Sequence, residues 1–161
     1  MNEYRLGKRS LEELRGVHPD LIGVVKAAIK ITEQDFSIHD GIRTPVEQNS
    51  LYRRGASQID GYRKIGKHQP QADGFGHAVD LVPYVGGRMR WEWPPIYEIA
   101  KAVQTAARTH GVKIRWGGCW EEISQKRDGD PEAWVQAYVQ RKLAAGKKAF
   151  NDGPHYELYG Y

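Results

Sequence analysis

Apolar positions follow two rhythms along this chain, one helical and one strand-like. Leu11, Leu14 and Val17 recur at helical spacing. Ser10, with Glu13 three residues on, forms a capping box that predicts a helix start at Ser10. Pro19 opens a second predicted helix, with Leu21, Val24, Val25, Ala28 and Ile29 along one face. Phe36 to Asp40 alternates like a short strand, Gly41 to Thr44 turns out of it, and Pro45 begins a helix running to about Arg54. Residues 55–76 are rich in Gly, Lys, Gln and Asp and read as a long loop of the kind that carries function. Ala78 to Tyr84 is a strand, Gly86-Gly87 a turn, and Arg88 to Trp91 a returning strand. The clearest helix runs from Ile96 to His110, closed by Gly111 as C-cap. Val112 to Trp116 alternates as a strand, residues 122–148 read as a polar loop followed by a helix from about Pro131 to Ala145, and His155 to Leu158 forms a last strand. This order predicts an α+β fold with a small, mostly antiparallel sheet packed by helices. The expectation is a single domain over residues 1–161 with a helical insertion at about 122–150.

Composition narrows the chemistry. Cys119 is the one cysteine, which excludes an intrachain disulfide and a Cys-rich structural zinc site, so any metal must be held by His and carboxylates. The net charge of +4 and pI of about 9.1 suit a polyanionic partner such as nucleic acid, anionic lipid or cell-wall polymer, or simply a solvated basic surface. No apolar run approaches the roughly 20 residues that span a bilayer. The start, Met1 to Lys8, lacks the apolar core of a secretory signal, which leads us to expect synthesis in the cytoplasm.

Two separated polar clusters carry the candidate chemistry. Asp80 lies in the apolar run Ala78-Val79-Asp80-Leu81-Val82, where a carboxylate needs a partner, either a metal ion or an arginine. His68 lies on the loop leading to it, and His155 in the last strand. Three such ligands with an open position are what a hydrolytic zinc site requires. Asp152, three residues before His155, can serve as a proton acceptor beside a metal, or as part of the turn Asn151-Asp152-Gly153-Pro154. Arg43 can clamp a carboxylate or polarise a carbonyl, or form a salt bridge at a helix start. By strand alternation Glu157 faces the same side as His155, as an orienting partner or in a surface ion pair.

These segments together resemble the zinc peptidases of the D-alanyl-D-alanine carboxypeptidase group, and within it the phage endolysins that cleave the L-alanyl-D-glutamate bond. The group's pattern is Ser-x-His-x-x-Gly-x-Ala-x-Asp, then much later an acidic residue, two spacers and His. Gly76-His77-Ala78-Val79-Asp80 matches the end of the first motif and Asp152-Gly153-Pro154-His155 the second. Gly41-Ile42-Arg43-Thr44 matches the arginine segment, and Arg115-Trp116-Gly117-Gly118 with Trp120 a segment near the end. The resemblance covers about Ser10 to Leu158. It implies the hedgehog-like fold of that group, a zinc ion held by His68, Asp80 and His155, Asp152 as general base and then acid, and Arg43 as oxyanion or carboxylate binder.

The chain departs from the pattern at several points. Asp73 stands where the group has its first His, so His68 is read as the ligand across a lengthened loop, with Asp73 as the alternative. His77 falls on a spacer position, Gly66 replaces the group's Ser, and Cys119 stands where such endolysins often carry Asp. The implied substrate is a peptidoglycan stem peptide, cut at L-Ala–D-Glu for host lysis. A D-Ala-D-Ala-type carboxypeptidase and a non-catalytic zinc-containing wall-binding module are the alternatives. The implied enzyme is a monomer made in the host cytoplasm, acting on the wall from the periplasm after membrane permeabilisation. No nucleic-acid motif is present. The basic helix with Arg141, Lys142, Lys147 and Lys148 is read as packed on the domain with a solvated basic side, its alternative being contact with anionic membrane or lipopolysaccharide.

Overall fold

The computed structural model describes residues 2–161. Its elements run α1 (Lys8–Glu13), α2 (Pro19–Ile31), β1 (Phe36–Asp40), α3 (Pro45–Arg53), β2 (Ala78–Val85), β3 (Arg88–Met89), α4 (Trp93–His110), β4 (Ile114–Trp116), β5 (Glu121–Glu122), α5 (Pro131–Ala144) and β6 (His155–Leu158). The sheet has the order β1-β2-β6-β4-β5, with β3 hairpinned onto β2, and every pairing is antiparallel. The fold is thus the α+β arrangement expected.

Proline in the first turn explains several helix starts, because its fixed φ suits that position and its missing N–H costs nothing there. Thr44 caps α3 by accepting from the Glu47 N–H, and Asp130 caps α5 by accepting from Ala133. Gly111 ends α4 in the left-handed conformation, with φ of 66°. The apolar faces of α2 and α4 meet each other and the sheet, so that Leu21, Val25, Ile99, Val103, Leu81, Ile114 and Tyr156 share one continuous core. The α5 helix adds Trp134, Val135 and Tyr138 to that core, and its Arg141 pairs with Glu121.

Three local expectations are corrected. The first helix begins at Lys8 with Gly7 as N-cap, so Ser10 is no cap. Ser10 is buried inside the helix and its hydroxyl accepts the N–H of Ile38, satisfying an edge-strand donor. The returning strand stops at Met89 and α4 starts earlier, at Trp93, with Pro94 and Pro95 in its first turn. Glu121–Glu122 pairs with Arg115–Trp116 as a short strand that two charged residues do not announce.

Strand register positions the chemistry. Along β2 and β6, Asp80 lies opposite His155, Val79 opposite Tyr156 and Ala78 opposite Glu157. On β1, Ile38 pairs with Leu81 but Asp40 pairs with Asp80, leaving His39 as an extra, bulged residue.

Candidate metal centre

The centre is assembled from a strand end, a loop and a turn. Asp80 and His155 face each other across neighbouring strands, with Nδ1 of His155 3.3 Å from Oδ1 of Asp80. His68 arrives from the loop and brings its Nε2 to 3.3 Å from the same oxygen. One ligand atom from each of the three lies within 4.8 Å of the others, a grouping that can hold a metal ion.

The outer sides of both imidazoles are occupied. His68 Nδ1 donates to the Gly41 carbonyl at 2.8 Å, which fixes the tautomer that leaves Nε2 free. Gly41 has to be glycine, because a Cβ there would lie 1.8 Å from the Glu13 carbonyl oxygen. The Nε2 of His155 meets Glu157 Oε1 at 2.9 Å, as strand alternation predicts for residues two apart.

A network of buried amides makes the loop rigid. Gln48 on α3 is 2% exposed and Gln69 in the loop 1% exposed, low values for polar side chains. Gln48 Nε2 donates to the Ile59 carbonyl and the Ser57 hydroxyl, and Gln69 bonds the Gly66 N–H and the Gly61 carbonyl. The Arg43 N–H donates to the His68 carbonyl at 2.8 Å and the His77 N–H to the Lys67 carbonyl at 2.7 Å, pinning the chain on both sides of His68. Asp73 lies outside the three-residue group. Its Oδ2 is 2.7 Å from His77 Nε2 and 3.7 Å from His18 Nε2.

Asp152 is carried on the turn that precedes β6. Its N–H donates to the Gly117 carbonyl, its own carbonyl accepts from the His155 N–H, and the Trp116 indole holds the Gly153 carbonyl at 2.7 Å. The fit is close: a Cβ on Gly117 would sit 2.3 Å from the Asp152 oxygen and 3.0 Å from the His155 Cβ. Burial pushes the Asp152 carboxyl pKa up, and the charge of Asp80 pushes it the same way. Asp80 moves oppositely. Burial alone would raise it, but the charge of His68 and hydrogen bonds from both histidines hold it well below the usual carboxylate range. His155 responds in kind: burial disfavours its cation, yet its bonds to Asp80 and Glu157 prevail and push its pKa up to about 10 in the metal-free chain.

Arg43 ends up between three partners. Its Nε and Nη2 bond Asp40, its Nη1 donates to Gln48 Oε1 at 2.7 Å, and Nη2 is 4.0 Å from Asp80 Oδ2. The salt bridge at a helix start and the position facing Asp80 therefore coexist. Trp120 walls the other side, with its ring 5.5 Å from that of His155 and its Nε1 on the Phe150 carbonyl. It holds a left-handed backbone with φ of 54°, a strained choice for a bulky residue that the cation of Arg115 over its ring accompanies. Cys119 is 1% exposed and burial raises its thiol pKa, the environment of an inert cysteine. Sequence reading missed Gln48, Gln69 and the Gly41 carbonyl. The only signal for Gln48 is its spacing of five from Arg43 on a helix start.

Comparison with known proteins agrees with this geometry. A family model described as phage L-alanyl-D-glutamate peptidase matches residues 2–159. The L-alanyl-D-glutamate peptidase of Escherichia phage T5 is 29% identical over 126 residues, covering 78% of this chain and 88% of that protein. The crystal structure of the Serratia marcescens L-Ala D-Glu endopeptidase ChiX is similar with a TM-score of 0.67 and 33% identity, over 98% of this chain and 92% of that one.

Proposed function

The chain belongs to the phage L-alanyl-D-glutamate peptidase family, and from that premise we propose that it is a zinc enzyme which hydrolyses the L-Ala–D-Glu bond of peptidoglycan stem peptides for host lysis. The observation that carries the zinc reading is the convergence of His68, Asp80 and His155 within 4.8 Å. Two imidazoles and one carboxylate, each anchored from behind, are a donor set suited to catalytic zinc. When bound, zinc supplies Lewis acidity toward a carbonyl oxygen and lowers the pKa of water to about 7.

The chain's own residues do the rest. His68 offers Nε2 because Gly41 holds its Nδ1–H, and His155 offers Nδ1 because Glu157 holds Nε2. Asp80 uses Oδ1, with Oδ2 turned toward Arg43. Asp152, with its pKa raised by burial, accepts the proton of the attacking water. As the C–N bond to D-Glu breaks, the same carboxyl returns that proton to the departing nitrogen, which leaves as an amine. Arg43, fixed by Asp40 and Gln48, stabilises the negative charge that develops on the peptide oxygen or receives a substrate carboxylate.

Among the described residues no helix is long and apolar enough to cross a membrane. We read the enzyme as made in the host cytoplasm and reaching the wall from the periplasm once the membrane is permeabilised. The deciding experiment is mass spectrometry of Gram-negative peptidoglycan digested with and without a chelator. Chelator-sensitive release of stem peptides cut after L-Ala is expected. Loss of a terminal D-Ala alone would move the reading to a carboxypeptidase, and stoichiometric metal without any product to a wall-binding module.

A further inference from the structure

A second concave surface lies along β1. It is a groove of about 630 Å³ between the start of α1, strand β1 and the β2–β3 hairpin. Arg5, Lys8, Arg9 and His39 line it, and all four are exposed. The arginine and lysine ion pairs among the described residues involve Arg43, Arg90, Lys101, Lys126 and Arg141, so none of the groove's cations is neutralised by a carboxylate. Asp35 is the one acid in the lining. It is half-buried and accepts from the Phe36 N–H, so one acid stands against the three basic side chains Arg5, Lys8 and Arg9.

The rim is apolar. Tyr84, Met89 and Trp91 are 39%, 44% and 55% exposed, and Trp91 meets His39 edge to face at 5.5 Å. Cations beside exposed rings suit a ligand that carries carboxylates on a partly apolar frame. The groove is also built on the strands that carry the centre. On β2, Tyr84 alternates with Val82 and Asp80 and so shares their face, and on β1 the groove residue His39 directly precedes Asp40, the partner of Arg43.

We propose that this groove is a second substrate-binding site, which holds a carboxylate-bearing stem peptide of the wall polymer next to the one being cut. The proposal rests on the reading of the metal centre as a wall-peptide hydrolase. A neighbouring stem held there raises the local concentration of scissile bonds at the centre, a gain that a short soluble peptide cannot use.

The test compares the native chain with the triple variant Arg5→Gln, Lys8→Gln and Arg9→Gln. Rates are measured on intact sacculi and on a soluble monomeric muropeptide, and co-sedimentation with sacculi is measured in chelator, where no cutting occurs. The variant should lose about tenfold in kcat/KM on sacculi relative to the soluble substrate, and should sediment less with sacculi. Sacculi whose carboxyl groups have been amidated should bind the native chain as weakly as the variant binds untreated ones. An unchanged ratio of the two rates overturns the proposal, as does equal loss on both substrates. Binding lost to anionic phosphatidylglycerol vesicles but kept to sacculi would assign the groove to lipid and overturn it too. If the native chain cuts neither substrate, the hydrolase reading fails on its own, while the sedimentation result still decides the groove.

Discussion

Asp80 and His155 sit opposite each other on adjacent antiparallel strands, and the 3.3 Å between Oδ1 and Nδ1 leaves a metal ion little to rearrange. His68 closes the third side at the same distance from that oxygen. His68→Ala should therefore abolish tight zinc binding, whereas Asp73→Ala, whose carboxylate is taken by His77 and His18, should bind zinc stoichiometrically. Elemental analysis after exhaustive dialysis separates the two. Zinc kept by the first variant and lost by the second would exchange the ligand assignments.

Asp152→Asn should leave zinc content and thermal unfolding close to native, since the backbone bonds to Gly117 and His155 hold the turn. Hydrolysis should drop by about 10²–10⁴, the usual contribution of a positioned general base. Native-like turnover by this variant would remove Asp152 from the chemistry.

Metal uptake should be coupled to proton release. In the metal-free chain His155 bonds carboxylates through both ring nitrogens, and its pKa stands at about 10 instead of 6.5. A folded-state pKa above the unfolded value adds stability that is complete below about pH 6.5 and lost as pH rises through about 10. Zinc must displace the Nδ1 proton, so its affinity should increase with pH across the neutral range. Calorimetric titration in two buffers of different ionisation enthalpy counts the protons released. A pH-independent affinity with no release would contradict the imidazolium between Asp80 and Glu157.

Glu157→Gln keeps the shape behind His155 and removes the charge. Zinc affinity should fall about 10–100-fold, as is typical when the group behind a ligating imidazole is changed. A competition titration against a chromogenic chelator reads this directly. Unchanged affinity would leave Glu157 as a bystander.

The sequence made some of this legible for identifiable reasons. The α2, α3 and α5 helices carry proline in the first turn, and β2 is an apolar run of strand length rich in β-branched valine. The three residues that come together, His68, Asp80 and His155, were named from motif spacing, with His68 hardest because a lengthened loop separates it from Asp80. The framework behind the ligands was hidden. Gln48 looks like a solvated helix residue and Gln69 like a solvated loop residue, and only folding reveals that they replace a hydrophobic core under residues 55–76. Ser10 misled for a similar reason: a hydroxyl that caps in one setting satisfies a strand edge in another. Register, which sets Asp80 against His155, depends on contacts between segments 75 residues apart and has no local signature.

The bulge at His39 has a consequence for how this strand tolerates change in length. Phe36 and Ile38 point into the core, and simple alternation would send residue 40 after them. The extra residue reverses parity, so that Asp40 turns out beside Asp80 and can hold Arg43. Deleting His39 would place Asp40 directly after Ile38, and plain alternation would then keep its carboxylate on the outward face, still opposite Asp80. The strand can therefore lose this one residue and keep both its apolar inner face and the pairing of Asp40 with Asp80.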